Sequence, residues 1–211
     1  MDPIIHIVDD DKSFRTAIGR FVEASGFRVA LYESGDQILA HLPNIEPGCI
    51  LLDLQLPGLS GLELQQYLAE KAPLLPIIYV TGQGDIKASV MAMKAGAEDF
   101  LEKPAVGKTL LEAIGRALLQ CEKRHMEHER VHTLESLVAG LTPREAQVFD
   151  LIVRGKQNKQ IAYALGTSER TVKAHRHCVM EKLRVRSLAE AVSIAERMGR
   201  LAPASEPSPH A

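Results

Sequence analysis

The sequence predicts an α/β unit, a doubly wound five-stranded parallel sheet, followed by an all-α helix-turn-helix domain. Three observations lead to this. Five short apolar runs alternate with helical patterns through residues 1–119, only helical periodicity continues after Gly140, and the two parts carry opposite charge balances.

The five apolar runs lie at residues 4–8, 49–52, 77–80 and 99–101, with a weaker one at 28–32. They have the length of strands, and unbroken rather than alternating apolarity predicts burial on both faces. Helical patterns at 14–25, 35–42, 62–71 and 87–95 separate them. Parallel strands need such crossovers, and the resulting sheet gathers functional residues at the carboxyl ends of its strands. From Leu110 the spacing Ile114, Leu118, Cys121 continues a last helix. The charged run CEKRHMEHERVH then predicts an exposed helical linker over 120–138, in which Leu134, Leu137 and Val138 resume the apolar pattern. Residues 139–200 form the helical domain, and the Pro/Ser-rich stretch 201–211 is expected to be disordered.

Composition limits the function. The 211 residues are 45% apolar and 25% charged, as in folded proteins with ordinary cores. No apolar run reaches the roughly 18 residues of a membrane span, and MDPIIHIVDD has no basic start or long apolar stretch of a secretory signal. A cytoplasmic protein without a membrane partner is expected. Cys49, Cys121 and Cys178 are odd in number and far apart, fitting neither a disulfide framework nor a zinc set. They read as reduced thiols, with Cys49 buried. Residues 1–120 hold 16 acidic against 10 basic side chains, and residues 139–200 hold 6 against 12. An acidic unit thus precedes one of charge +6 suited to a polyanion, although a charge excess also suits a merely solvated surface.

Asp9 and Asp10 follow the first strand, Asp53 ends the third, Thr81 ends the fourth, and Lys103 follows the fifth. One parallel sheet brings them all to a single edge. Three close carboxylates repel one another unless a cation joins them, and an oxygen-only donor set favours Mg²⁺. A carboxylate can attack a phosphoryl group, and the acyl phosphate then needs the cation, an ammonium and a hydroxyl around its oxygens. Asp53, Lys103 and Thr81 supply those parts. Each residue also has a plainer use: Asp9 or Asp10 as cap of a helix starting near Ser13, Asp53 opening a turn, Thr81 simply ending a strand.

The segments IVDDD, LLDLQLPGLSG, VTGQGD and AMKAGAEDFLEKP resemble, in order and spacing, the flavodoxin-like receiver domain of two-component response regulators over residues 4–119. The resemblance implies that Asp53 accepts a phosphoryl group from a sensor histidine kinase, and that Asp9, Asp10, Asp53 and the Gln55 backbone carbonyl hold Mg²⁺. It implies that Thr81 and Lys103 bind the phosphoryl oxygens, that Phe100 turns inward behind Thr81, and that Lys103–Pro104 is a cis peptide. Ala105 stands where the family often has phenylalanine, and Phe100 where it more often has tyrosine, so any switching by that ring rests on packing.

In the second part, Thr142, Pro143 and Glu145 predict a capped helix start, with Ala146, Val148, Phe149 and Ile152 on its apolar face. Helices over 158–165 and 169–183, joined by a turn at Gly166, give helix-turn-helix geometry. Arg170, Lys173, His175, Arg176 and His177 are read as the exposed side of the second of these, opposite Val172, Val179, Met180 and Leu183. Such a helix fits a major groove, with Asn158, Lys159 and the capping hydroxyls of Thr167 and Ser168 near phosphates. The stretch from LTPREAQVFDLIV to EKLRVRS resembles the LuxR/NarL type of DNA-binding domain. With the receiver this is similar to a FixJ-type response regulator. It implies contacts to double-stranded promoter DNA from Lys173, His175 and Arg176 with Thr171 nearby, dimerisation on phosphorylation through residues 188–198, and activation of transcription. No GxxxxGK[ST] motif is present, so activation is expected through recruitment of RNA polymerase.

Three other readings compete. A haloacid-type phosphatase needs a second aspartate two residues after the nucleophile, where this chain has Gln55, so the protein is not expected to be an enzyme. A protein-binding adaptor disagrees with the +6 module. His125, His128 and His132 fall on one side of the linker helix, where a transition-metal site competes with a plain solvated surface.

Overall fold

The computed structural model describes residues 2–82, 86–104 and 107–201. Ala105 and the expected tail from residue 202 onward lie outside them. Strands β1 (Ile4–Val8), β2 (Arg28–Tyr32), β3 (Gly48–Leu52), β4 (Ile77–Thr81) and β5 (Asp99–Glu102) form a parallel sheet in the order β2-β1-β3-β4-β5. Helices α1 (Lys12–Ala24), α2 (Gly35–His41), α3 (Gly61–Lys71) and α4 (Ile86–Lys94) make the crossovers, and α5 (Lys108–Ala139) follows β5.

β1, β3 and β4 are buried throughout, which is why they are apolar almost without interruption. Alternate side chains feed two cores. Ile5, Ile7, Cys49, Leu51, Ile78 and Val80 pack with Ile18 and Val22 of α1 and Leu110, Ala113 and Ile114 of α5. Val8, Ile50, Leu52 and Tyr79 pack with Ile38 of α2, Leu64 and Leu68 of α3 and Ala92 of α4. β3 lies so close to β1 that a Cβ on Gly48 would stand 1.7 Å from the Ile4 carbonyl oxygen.

The register sets the edge. Val8 pairs with Leu52, so Asp9 and Asp53 leave the sheet side by side. Thr81 pairs with Glu102, and the Lys103 amide donates to the Thr81 carbonyl at 2.8 Å. The chain order also reverses between β1 and β3, and open α/β sheets form their binding crevice outside such a point.

His6 is the buried polar residue of β1. Its Nε2 lies 3.0 Å from the Glu46 carbonyl oxygen, which only accepts, so Nε2 carries the proton and Nδ1 accepts from the Tyr32 hydroxyl at 3.2 Å. Burial lowers the His6 pKa below 6.5, partly opposed by the Glu46 carbonyl and reinforced by His41. The unfolded chain therefore takes up a proton that the fold rejects. The His6 contribution to stability is complete above 6.5 and falls as pH drops from there through the lowered folded value. Urea midpoints of the α/β unit measured across this window should fall with acidification, and His6→Gln should flatten that part of the curve.

The chain divides into two compact units, Met1–Met126 and Glu127–Ala211, beyond the boundary at 119 read from sequence. Cys121 is 4% exposed, and Arg124 donates to the Pro73 carbonyl at 3.1 Å, so this part of α5 packs with the sheet. Leu134, Leu137 and Val138 pack instead in the core of the second unit. That unit also contains α6 (Pro143–Val153), α7 (Asn158–Ala164), α8 (Glu169–Lys182) and α9 (Leu188–Arg197). Its cores gather Phe149, Val179, Leu183, Ala191 and Ile194, and beside them Val148, Ile152, Ile161 and Val172. Thr142 and Glu145 form the expected capping box. Glu145 is also buried and accepts from Lys182 Nζ at 2.6 Å. That ammonium, with the Thr142 amide, holds the Glu145 pKa down at about 2.

Arg184 follows α8 at φ 57°, the one non-glycine with positive φ among the described residues. A Cβ in the left-handed region crowds the following carbonyl, a penalty glycine escapes. Arg184→Gly should therefore stabilise the second unit by about 1 kcal/mol, read as a higher urea midpoint at unchanged m-value.

No helix among the described residues is long and apolar enough to cross a membrane.

Candidate functional site

The edge of the first unit holds a nearly buried acidic pocket. Which of three successive aspartates caps α1 is settled by Asp11, whose carboxylate accepts from the Ser13 and Phe14 amides at 2.8 and 3.2 Å. Asp9 and Asp10 are thereby released from that duty. Asp9 and Asp53 have side chains 3% and 8% exposed, whereas Asp10 is exposed. Carboxylate oxygens of the three lie within 4.8 Å of one another.

Lys103 binds two of them at once, with Nζ 2.6 Å from Asp9 Oδ2 and 2.7 Å from Asp53 Oδ2. The other oxygens receive backbone amides: Asp9 Oδ1 from Asp11 at 2.9 Å, Asp53 Oδ1 from Gln55 at 3.2 Å. Burial pulls the Lys103 pKa down, but its bonds to Asp53 and Asp9 outweigh burial and leave it above the ordinary lysine value. Asp9 is also held above the ordinary carboxylate value, by burial first and the Asp53 charge besides, against the opposing pull of Lys103. One ammonium shared between two carboxylates explains both directions: the cation gains two partners, while each anion gains part of one and keeps a like-charged neighbour. The pocket remains one positive charge short even before Asp10 is counted. An oxygen-rich, under-neutralised cluster fits a hard divalent cation such as Mg²⁺.

Thr81 is buried at the end of β4, and Phe100 is half-buried, its ring centroid 5.9 Å from that of Tyr79. The Lys103–Pro104 peptide is cis. Two neighbours escaped sequence reasoning. The Lys103 ammonium sits 4.2 Å from the centroid of the Phe14 ring, a cation–π contact worth about 0.5–2 kcal/mol, and Arg15 donates to the Asp9 carbonyl. Nothing local in the sequence announces either.

In the second unit Ser168 caps α8, accepting from the Thr171 amide at 3.1 Å, and its hydroxyl lies 2.9 Å from that of Thr171. Arg170, Thr171, Lys173 and Lys159 are exposed, Asn158 is half-buried, and Arg176 donates to Asn158 Oδ1 at 3.2 Å. This bond ties α8 to the start of α7. His175 and Arg176, expected on the open side, are half-buried. His175 stands about 200° around the helix from Lys173, so the two cannot share a face. His125, His128 and His132 are not brought together: among the described residues the one group of three or more potential metal-ligating side chains is Asp9, Asp10 and Asp53.

Residues 5–115 match the family described as response regulator receiver domain, and residues 139–195 the family described as bacterial regulatory proteins, luxR family. Nodulation protein W of Bradyrhizobium diazoefficiens is 41% identical over 93% of this chain and 86% of its own. The transcriptional regulatory protein FixJ of Rhizobium meliloti is 37% identical over 92% and 95% of the two chains. Among solved structures, the response regulator StyR is 42% identical with TM-score 0.74, covering 93% of this chain and all of that one (100%). Full-length FixJ from B. japonicum is 36% identical with TM-score 0.58, over 96% of this chain and 100% of that one. The chain thus belongs to the response regulators of two-component systems, joining a receiver domain to a LuxR-type DNA-binding domain that serves transcription regulation.

Proposed function

We propose that the first unit receives a phosphoryl group on Asp53 from a sensor histidine kinase, and that this modification promotes dimerisation and activating binding to promoter DNA. The observation that carries the reading is the Lys103 ammonium held 2.7 Å from Asp53 Oδ2 in a pocket shared with Asp9 and Asp10, with Thr81 ending the neighbouring strand β4. An Asp53 oxygen attacks phosphorus, the P–N bond to the kinase histidine breaks, and its electron pair returns to the imidazole nitrogen. Lys103, already beside the attacked carboxylate, follows the charge onto a phosphoryl oxygen, and the Thr81 hydroxyl donates to another. Bound Mg²⁺, held by Asp9, Asp10, Asp53 and the Gln55 carbonyl, would neutralise the charge that three phosphoryl oxygens bring into the pocket. Phe100 then packs inward behind Thr81.

In the second unit α8 enters the major groove. Lys173 leads the base contacts with Arg170, while Thr171, Lys159, Ser168 and Asn158, the last held in place by Arg176, hold phosphates. α9 forms the dimer surface, and RNA polymerase is recruited by contact. The protein acts in the cytoplasm and has no enzymatic turnover of its own.

Sedimentation of the purified chain with Mg²⁺, before and after beryllofluoride, tests the reading. A monomer-to-dimer shift in the wild type that is missing in Asp53→Asn supports it, and an unchanged wild type overturns it.

A further inference from the structure

Tyr79 is fully buried in the middle of β4, two residues before Thr81, and a buried phenol needs partners for its hydroxyl. It has two. The oxygen lies 2.9 Å from the Gly61 carbonyl and 3.0 Å from Gln65 Oε1. Gln65, itself 2% exposed, uses Nε2 to donate to the Ala92 carbonyl of α4 at 3.1 Å. Because that carbonyl only accepts, the Gln65 amide cannot flip, and its oxygen must face the phenol. A single phenolic hydrogen is therefore offered to two acceptors. Either bond can strengthen as the other weakens, without exposing either group to water.

Each end of this hydrogen-bond chain touches a different segment. Gly61, first residue of α3, is pressed against the backbone of Asp53: a Cβ there would lie 2.4 Å from the Asp53 carbonyl oxygen and 2.9 Å from Leu54 Cα, and its amide donates to Leu54 at 3.1 Å. A shift of the segment carrying Asp53 must shift Gly61. The other end is the α4 backbone, and the Tyr79 ring meets the Phe100 ring at 5.9 Å with 33° between planes. Among the described contacts, Tyr79 is thus joined through Gly61 to the segment carrying Asp53, through Gln65 to α4, and directly to the Phe100 ring.

We infer that Tyr79 is a positioning residue for the Asp53 chemistry, and that with Gln65 it relays the state of Asp53 to α4 by passing its hydrogen between the Gly61 carbonyl and the Gln65 amide. The inference rests on Asp53 being the phosphoacceptor. In the unmodified protein the relay pins α4, and breaking it lets α4 move without the phosphoryl group.

The test compares wild type, Tyr79→Phe, and Tyr79→Phe/Gln65→Leu, each as the full chain with Mg²⁺. The double variant removes both buried polar groups and so leaves neither unsatisfied if the single change impairs folding. Hydrogen exchange of the Ile86–Lys94 amides and calorimetric affinity for beryllofluoride are the readouts. Loss of one net hydrogen bond should speed α4 exchange about fivefold before beryllofluoride is added. Beryllofluoride should then change α4 exchange less than in wild type and, by reciprocity, bind more tightly by a similar factor. A variant whose α4 responds as wild type does, at unchanged beryllofluoride affinity, overturns the relay alone. A wild type that takes up no beryllofluoride overturns the phosphoacceptor reading and the relay together.

Discussion

Asp53→Asn is expected to abolish acyl phosphate formation altogether, seen as the absence of a phosphoryl mass increment after incubation with acetyl phosphate and Mg²⁺. A carboxamide oxygen is a poor nucleophile and gives no stable acyl phosphate, so no residual rate should survive. Asp10→Asn makes the informative partner. It keeps the nucleophile but removes an exposed oxygen donor from the cluster, so labelling should persist and require more Mg²⁺. The same change should alter stability in the opposite sense. Lys103 already serves Asp9 and Asp53, which leaves Asp10 as the carboxylate that adds repulsion across the 4.8 Å cluster. Removing one such charge, exposed and screened by water, is worth about 1 kcal/mol, so Asp10→Asn should melt higher than wild type in EDTA. Saturating Mg²⁺ should shrink that advantage, because the cation stabilises the wild type by mass action. If Asp53→Asn still acquires the phosphoryl mass, the acceptor is another residue.

What could be read from sequence is what local rules govern. Near-continuous apolar runs mark β1, β3 and β4 because burial on both faces leaves room for a polar residue only where, like His6, it finds hydrogen-bond partners, and polar residues after such a run lie at the sheet edge. Asp9, Asp53 and Lys103 are therefore legible as neighbours with Thr81 at the same sheet edge, and the one-to-one pairing of Val8 with Leu52 and Thr81 with Glu102 supplies the register that no pattern can. Three consecutive aspartates are different: each can cap a helix, and only the geometry assigns the cap to Asp11. The reach of α5 was hidden because its charged middle looks the same whether it packs or not, until Cys121 and Arg124 meet residues far away in sequence. Phe14 over Lys103, Tyr79 with Gln65, and Glu145 with Lys182 were illegible for the same reason. His175 was misplaced by taking a basic run as one surface, when helical rotation of about 100° per residue spreads it around the cylinder.

That rotation decides which basic residues matter most for DNA. Arg170, Lys173 and His177 are exposed and fall within about 60° of one another on α8, beginning two residues after the Ser168 cap, whereas Arg176 is half-buried and already bonded to Asn158 at 3.2 Å. Glu181 lies on the same stripe further along and would repel phosphates, so the proposed contact is expected from the N-terminal half of the helix. Arg170→Ala/Lys173→Ala should accordingly weaken binding to promoter DNA by on the order of 10²-fold, from two lost contacts of about 1–3 kcal/mol each. Each phosphate contact among them should also lower the slope of log affinity against log salt by about 1. Arg176→Ala makes the control with a different signature. It frees Asn158 and loosens α7 against α8, so it should lower the thermal midpoint of the second unit, which the double variant on the open face should leave alone. Fluorescence anisotropy with a labelled promoter fragment at several salt concentrations reads both quantities. A double variant with wild-type affinity and slope would mean that α8 does not present this face to the groove.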